Sequence, residues 1–265
     1  MIWEEIFSRG HYWLPLVGFL IGMLATMVGG GGAFFFPPVL ILVFHIPPQV
    51  AAATSLAAAI PVGLVGTWSH YRSGNVNTGI GLAFGLAGLA GAAGGAILAG
   101  LLVAKTLKTA FGIYSILLGL GMLAIQKERP TTIASKPLTY QEVPLRKKLF
   151  ISMFGFFSGG FAGLFGTSGT APALAGLFIL KLPLKIVIGT SVMVVFFNAV
   201  SGLGSHLVVG QVDLVLTLLL GSGAAAGAFT GPRLLKLVNP GKAEGAVRLA
   251  FSVLILVTGI LMLTG

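Results

Sequence analysis

Apolar residues fill ten stretches of this chain, and polar, charged or glycine-rich residues separate them. A helix needs about 20 residues to cross the hydrocarbon core of a bilayer, and six of the ten stretches are about that long. The other four form two adjacent pairs of shorter stretches, each pair split by a helix-breaking sequence. The pattern therefore predicts an all-α protein that crosses a membrane several times. The ten stretches are residues 14–28, 33–45, 49–70, 78–102, 108–125, 149–165, 170–180, 185–207, 212–235 and 243–263.

The sequences that split the short pairs do not suit a regular membrane helix. We name MVGGGGAFFFPP, residues 27–38, the first break, and GTSGTAP, residues 166–172, the second break. A glycine costs about 1 kcal/mol relative to alanine inside a helix, and irregular backbone persists at membrane depth only inside protein or beside a wet cavity. A turn followed by a helix start presents N–H groups and a partial positive charge, so we expect the breaks to bind an anion. Alternatively, the glycines only permit close helix crossing.

The second half of the chain resembles the first. The pattern S-H-x-x-x-G-[NQ]-V-[ND] occurs at residues 69–77 and, at an offset of 136, at residues 205–213. Glycines of the two breaks correspond at an offset of 137. Internal repeats are typical of transporters. The predicted divisions are a first transmembrane repeat at 1–125, a polar, proline-containing cytoplasmic linker at 126–148 and a second transmembrane repeat at 149–265.

The basic residues favour an inverted repeat over a parallel one. If each short pair is one broken crossing, eight basic residues lie on the cytoplasmic side and seven outside. If each pair is a hairpin, the number of crossings per half becomes odd, and the count changes to twelve inside and three outside. Cytoplasmic loops of membrane proteins are enriched in Lys and Arg. We therefore predict two inverted repeats of about five helical segments each, with both termini outside and the two breaks meeting near the midplane.

Composition agrees with a membrane protein and argues against other classes. The chain is 56% hydrophobic and 8% charged, with a net charge of +10, whereas a soluble domain carries about 25% charged residues. The absence of cysteine excludes disulfides and thiolate chemistry. The first 13 residues lack the basic start and apolar run of a cleaved signal peptide. No basic soluble module indicates nucleic-acid binding, and no G-x-x-x-x-G-K-[ST] sequence indicates ATP binding.

Polar residues inside the apolar segments are the candidate ligands of the expected anion site. Thr54-Ser55 recurs as Thr190-Ser191, and Asn198 shares a helix face with Thr190. Each has a structural alternative, because a hydroxyl can bond to its own helix and a buried amide can bond to a neighbouring one. The predicted substrate-binding residues are Gly29, Gly30, Gly31, Gly32, Ala33, Thr54, Ser55, Gly166, Thr167, Ser168, Gly169, Thr170, Thr190, Ser191 and Asn198.

Two histidines, His70 and His206, lie near the ends of corresponding segments. Either could carry a proton or contact a substrate oxygen. Either could equally cap the last helical turn, since a glycine follows four residues later. We expect no catalytic residue, no metal and no cofactor.

The second break also matches a different chemistry. Residues 166–169 fit the G-x-S-G motif of rhomboid intramembrane proteases, in which Ser168 and His206 would form a nucleophilic dyad. The first half keeps the corresponding histidine without a serine in its glycine run, which favours an architectural role for the histidine. An anion channel is the third hypothesis.

Taken together, these motifs resemble the sulfite/sulfonate exporter family (TauE/SafE). The resemblance rests on the glycine-rich break followed by proline, the Thr-Ser pair, the Ser-His pattern and their repetition over residues 14–125 and 149–263. It implies a multi-pass permease of the bacterial inner membrane that moves sulfite, sulfoacetate or other organosulfonates. Members are commonly drawn with seven or eight spans, which differs from ten segments. The expected partners are a small anionic substrate and the lipid bilayer, with no nucleic acid. The oligomeric state stays open, a homodimer being one option.

Overall fold

A computed structural model describes residues 11–28, 31–125, 140–180, 182–209, 212–237 and 240–264. All regular structure in these residues is helical, as predicted, and each of the ten apolar stretches forms one α-helix. Short 3-10 helices lie at His11–Trp13, Gly31–Phe35 and Tyr140–Glu142. The α-helices are α1 Leu14–Val28, α2 Phe36–Leu42, α3 Pro48–Arg72, α4 Thr78–Leu101, α5 Ala104–Ile125, α6 Leu145–Phe165, α7 Thr170–Ile179, α8 Leu184–Val209, α9 Leu214–Leu237 and α10 Pro240–Thr264.

Six helices of the described chain, α3 to α6, α8 and α9, are long and apolar enough to cross a membrane. The helix α6 is longer than the sequence pattern predicted, because it begins at Leu145 rather than at residue 149 and has 21 residues. Pro144 precedes it in an extended conformation, and the basic residues that follow are good helix formers. The last four residues of the predicted linker are therefore helical, while residues 126–139 lie outside the described part.

The final residue of the repeated Ser-His pattern caps the next helix in both halves. The Asn77 side chain accepts a hydrogen bond from the Ile80 N–H at 3.1 Å, and the Asp213 carboxylate accepts one from the Leu216 N–H at 2.9 Å. Asn and Asp are favoured N-caps because they satisfy N–H groups that have no partner within the helix. The recurring [ND] position thus starts α4 and α9.

Backbone-to-backbone packing joins two pairs of parallel helices, α1 with α9 and α4 with α6. An ideal Cβ on Gly91 would lie 1.9 Å from the Phe156 carbonyl oxygen, and one on Gly223 would lie 1.9 Å from the Pro15 carbonyl oxygen. Helices approach this closely in membranes only where small residues face each other. Many glycines outside the breaks therefore serve helix packing, which was the alternative explanation for the breaks themselves.

The central helices α3 and α8 occupy corresponding places in the two halves and run antiparallel. Gly63 faces Phe196, and Gly66, further along α3, faces the earlier residue Val192. The corresponding helices α5 and α10 are antiparallel as well. Corresponding helices point in opposite directions in an inverted repeat and in the same direction in a parallel one. The helix directions thus support the inverted-repeat hypothesis, and the orientation in the membrane stays a prediction.

Helix directions also support a hairpin at the first break. The helix α1 runs parallel to α9, and so does α3, which meets α9 first through Thr54 and Asp213 and later through Trp68 and Phe229. Because α1 and α3 point the same way, the segment between them must return the chain to the starting side. In the second half, α6 and α8 both run parallel to α4 and so point the same way. The second break and α7, which lie between them, must therefore return the chain to the starting side.

Glycine packing between α4 and α6 predicts a difference between two neighbouring glycines. We expect Gly91→Ala to destabilise the protein by about 1–3 kcal/mol, since the added methyl overpacks against the α6 backbone. Gly94→Ala is the control, because nothing lies within 4 Å of a Cβ there. Thermal unfolding in detergent measures both. Equal unfolding temperatures for the two variants would contradict the packing role of Gly91.

The inverted repeat predicts the accessibility of two single cysteines, which can be read without interference because the chain has none of its own. A cysteine replacing Thr264 should react with an impermeant maleimide in intact cells. A cysteine replacing Lys185 should react only after the membrane is opened. A parallel repeat with one broken crossing per short pair gives the reverse result at both positions.

Candidate anion-binding site

The second break is a buried turn held by two left-handed glycines. Gly166 has φ +70° and ends α6, with its N–H donating to the Ala162 carbonyl at 2.8 Å, and Gly169 has φ +60° and precedes α7. Only glycine adopts these φ values without cost. Ideal Cβ atoms would also meet the backbone of Ala52 at 2.2 Å and the Ser158 carbonyl oxygen at 1.9 Å. Both glycines are therefore structurally required.

Five successive backbone N–H groups of the second break, from Thr167 to Ala171, donate no hydrogen bond to any acceptor among the described residues. Pro172, next in line, has no N–H. Thr167 and Ser168 are about as buried as core residues, with exposed fractions of 1% and 2%. The N-terminus of α7 also carries a partial positive charge. An anion is the partner that these groups suit best.

Side chains of the second break bond locally. The Thr167 hydroxyl donates to the Phe161 carbonyl at 3.3 Å, and the hydroxyls of Ser168 and Thr170 are hydrogen-bonded to each other. Both bonds shape the turn. Whether these hydroxyls also contact a substrate stays a prediction.

The first break reaches the second through its aromatic end. Its 3-10 helix, Gly31–Phe35, contacts α7, so the two breaks lie together as expected. Ala33 is buried, whereas Gly29 and Gly30 lie outside the described residues. The phenylalanines that follow the glycines take part in an aromatic cluster with α5, α6 and α10. Its members are Phe34, Phe35, Phe111, Tyr114, Phe161, Phe165 and Phe251.

A small cavity lies where the two breaks meet. Its volume of about 30 Å³ holds one or two waters, so a sulfonate would enter only if the lining side chains moved apart. Thr170 and Ala171 of the second break line one side, and Phe34 of the first break lines another. The complete lining is Phe34, Tyr114, Leu118, Met122, Thr170, Ala171, Leu174, Phe251 and Ile255.

Tyr114 is a cavity residue that the sequence reasoning missed. Its ring stacks on Phe161 at 4.6 Å and on Phe165 at 5.2 Å between ring centroids. A single tyrosine in an apolar helix gives no sequence signal. Phe34 could have been noticed, since it follows the glycine run directly.

The two threonines predicted as ligands form hydrogen bonds between the repeats, and their role as ligands stays a prediction. The Thr54 hydroxyl accepts a hydrogen bond from the Asp213 N–H at 3.1 Å, and the Thr190 hydroxyl accepts one from the Asn77 N–H at 2.9 Å. The two bonds are equivalent in the repeat, because each threonine accepts a hydrogen bond from the residue that caps a helix of the opposite half. We name these the cross-repeat bonds. Their oxygens face backbone donors, which leaves only the hydroxyl protons for a ligand.

The two serines that follow differ in their bonding. The Ser191 hydroxyl donates to the Ile188 carbonyl of its own helix at 2.8 Å. The Ser55 hydroxyl is fully buried and has no hydrogen-bond partner among the described residues. Ala52, one turn earlier, packs against Gly166, so Ser55 lies near the second break. A buried hydroxyl without a partner is destabilising unless water or a ligand satisfies it.

Asn198 makes an interhelical bond. Its Nδ2 donates to the Ser158 hydroxyl at 2.9 Å, and its Oδ1 has no partner among the described residues. An ideal Cβ on Gly88 would lie 2.2 Å from that oxygen, so the amide packs directly against α4.

The two histidines hold the ends of the first helix of each half. His70 Nε2 lies 3.1 Å from the Thr26 carbonyl, and His206 Nε2 lies 2.8 Å from the Gly163 carbonyl. A carbonyl only accepts, so Nε2 carries the proton in both rings. This is the capping role that the sequence offered as the alternative, here made to a neighbouring helix.

The protease dyad is not formed in the described structure. The Ser168 hydroxyl is bonded to Thr170, and His206 Nε2 is bonded to Gly163. Catalysis by such a dyad needs a hydrogen bond between the serine and the histidine.

Fold and site together define a multi-pass helical membrane protein with paired helix breaks, the class to which many transporters belong. The family model "Sulfite exporter TauE/SafE" matches residues 14–262, and the chain belongs to that family. Probable membrane transporter protein YdhB of Bacillus subtilis (strain 168) is 34% identical over 228 residues, or 84% of this chain and 89% of its own. Probable membrane transporter protein YunE of the same organism is 29% identical over 227 residues, or 81% and 82% of the two chains.

The cross-repeat bonds predict a stability effect for both threonines. Thr54→Val and Thr190→Val should each destabilise the protein by about 1–2 kcal/mol, because a backbone N–H loses its acceptor. Thr258→Val is the control, since its hydroxyl bonds only to Leu254 of its own helix. Thermal unfolding and sulfite binding are measured together. Weaker sulfite binding at unchanged stability would instead make the threonines ligands.

Proposed function

We propose that this protein is a secondary transporter, acting as an exporter, for small sulfur-containing anions such as sulfite and organosulfonates in a bacterial inner membrane. The observation that carries the proposal is the run of five backbone N–H groups of the second break that have no acceptor in the described chain. Membership of the family named for sulfite export supports the substrate class and the direction. The names of the relatives support transport rather than an enzymatic activity.

Sulfur oxyanions suit such a site for electrostatic reasons. A sulfonate is a permanent anion with three acceptor oxygens, each of which can accept a hydrogen bond from a backbone N–H group. The residues that line the cavity include no lysine or arginine. Binding through neutral dipoles avoids a charged side chain at membrane depth, which would cost about 2.5–3.5 kcal/mol or more.

The membrane potential favours the proposed export direction. An inside-negative potential contributes about 2.3 kcal/mol per charge per 100 mV to the outward movement of an anion. Export therefore needs no coupling ion, whereas import would. We propose that the halves act as inverted repeats and that relative motion of repeat-derived bundles alternates access to the second break.

Within this proposal, the predicted ligands divide into two groups. Residues 167–170, joined by Ala171, present the N–H donors, and Ser55 is a further contact from α3. Thr54, Thr190 and the histidines act chiefly as structural contacts, because their hydrogen bonds join backbone groups of neighbouring helices. The first break contributes Phe34 to the lining of the cavity.

A channel is the alternative within the same architecture. The cavity of about 30 Å³ must widen before a sulfonate can enter, which favours a carrier that changes conformation. Unitary currents in planar bilayers would support the channel instead.

Replacing Ala171 with proline tests the N–H donors. Proline removes one donor, and the start of α2, where Pro37 and Pro38 occupy the second and third helical positions, shows that the fold accepts proline there. We expect the affinity for sulfite and sulfoacetate to fall about 10-fold, as for loss of a hydrogen bond to a charged group. Isothermal calorimetry and proteoliposome flux measure this.

Ala171→Ser is the matched control, because it keeps the N–H at nearly the same size and should retain wild-type affinity. Unchanged affinity in the proline variant would remove this helix start from the site. Binding of acetate as tight as that of sulfite would argue against sulfur anions as the substrates.

A further inference from the structure

A buried chain of hydrogen bonds reaches the second break from α8. Asn198 Nδ2 donates to the Ser158 hydroxyl at 2.9 Å, and that hydroxyl donates to the Gly169 carbonyl at 2.7 Å. Both side chains are fully buried. We name these three residues the Asn-Ser relay. A serine has one hydroxyl proton, and since Gly169 receives it, Ser158 can only accept from Asn198.

The serine provides the stronger of two bonds to the Gly169 carbonyl. The other comes from the Ala173 N–H at 3.4 Å, beyond the usual range of 2.7–3.2 Å for such bonds, whereas 2.7 Å is near the optimum for a hydroxyl donor. The orientation of the peptide group between Gly169 and Thr170 therefore depends mainly on Ser158.

That orientation controls a donor of the proposed site. In a planar trans peptide, the carbonyl of one residue and the N–H of the next point in opposite directions. With the Gly169 carbonyl directed at Ser158 in α6, the Thr170 N–H points away from α6. Thr170 lines the cavity at the meeting of the breaks.

The first half lacks the relay entirely. At the repeat offsets, Ile21 corresponds to Ser158 and Val62 corresponds to Asn198. Ile21 and Val62 are both buried and belong to one hydrophobic cluster. The two positions thus differ together, polar in one half and apolar in the other. A bond needed only to hold the repeated fold would be expected in both halves.

We propose that Ser158, held by Asn198, is a positioning residue that fixes the Gly169–Thr170 peptide so that the second break binds the anion and the first does not. The inference rests on the proposed function, because it assigns a role in that same site. Ser158 acts through the peptide and does not itself contact the substrate.

The test compares sulfite binding and flux in three variants. Ser158→Ala should raise the Kd for sulfite about 10-fold and leave the maximal flux nearly unchanged. Asn198→Asp should do the same, because the new carboxylate draws the serine proton away from Gly169. Asn198→Leu should raise the Kd by less than Ser158→Ala does, about 3-fold, because Ser158 keeps its bond to Gly169 but loses the amide that holds it.

Ser201→Ala is the matched control. Ser201 also donates an interhelical bond of 2.7 Å, to the Leu89 carbonyl of α4 rather than to a residue of a break. It should match Ser158→Ala in thermal stability and keep the wild-type Kd. A Kd for Ser158→Ala equal to that of the wild type, with Ala171→Pro still weakened, would overturn the relay and leave the proposed function standing. If the wild type binds neither sulfite nor sulfoacetate, the proposed function fails and the relay with it.

Discussion

Every backbone N–H and C=O group that leaves a helix inside a bilayer must find a partner other than water, and this constraint organises the whole structure. The Gly166 N–H, the Gly169 carbonyl and the carbonyls beside both histidines are satisfied by protein groups. The N–H groups from Thr167 to Ala171 have no acceptor among the described residues. Irregular backbone at this depth is tolerated only inside protein or beside a wet cavity, which is why we propose the second break as the place where a ligand binds.

Two kinds of contact make a break of this sort possible. Close glycine contacts pack α1 against α9 and α4 against α6. The helices α1 and α6, which precede the two breaks, are therefore each held by a helix of the opposite half. The cross-repeat bonds then tie Thr54 and Thr190 to the helix caps of the opposite half. Each half therefore contributes contacts that hold helices of the other half in place.

Sequence reasoning predicted the helices well because bilayer thickness and hydropathy leave few alternatives, and it missed the start of α6 because charged residues continued that helix. The site was predicted less completely. The second break was visible as Gly166 and Gly169, but the partner of Thr54 lies 159 residues away in the other half. Tyr114 and Ser158 gave no signal, since one polar residue in an apolar helix has many structural explanations.

The two halves share the same arrangement of helices but differ in the sequence of their breaks, and we assign different roles to these two features. Alternating access in repeat transporters needs two conformations of similar energy, which two copies of one fold supply. In the proposed site the N–H donors belong to the second break, whereas the glycines of the first break lead into Phe34, Phe35 and two prolines. The polar pair Ser158 and Asn198 occurs in the half that contains the second break. The apolar pair Ile21 and Val62 occupies the corresponding positions in the half that contains the first break. In the proposed function, binding is therefore assigned to the second half, while the repeated helices and the cross-repeat bonds are shared by both halves.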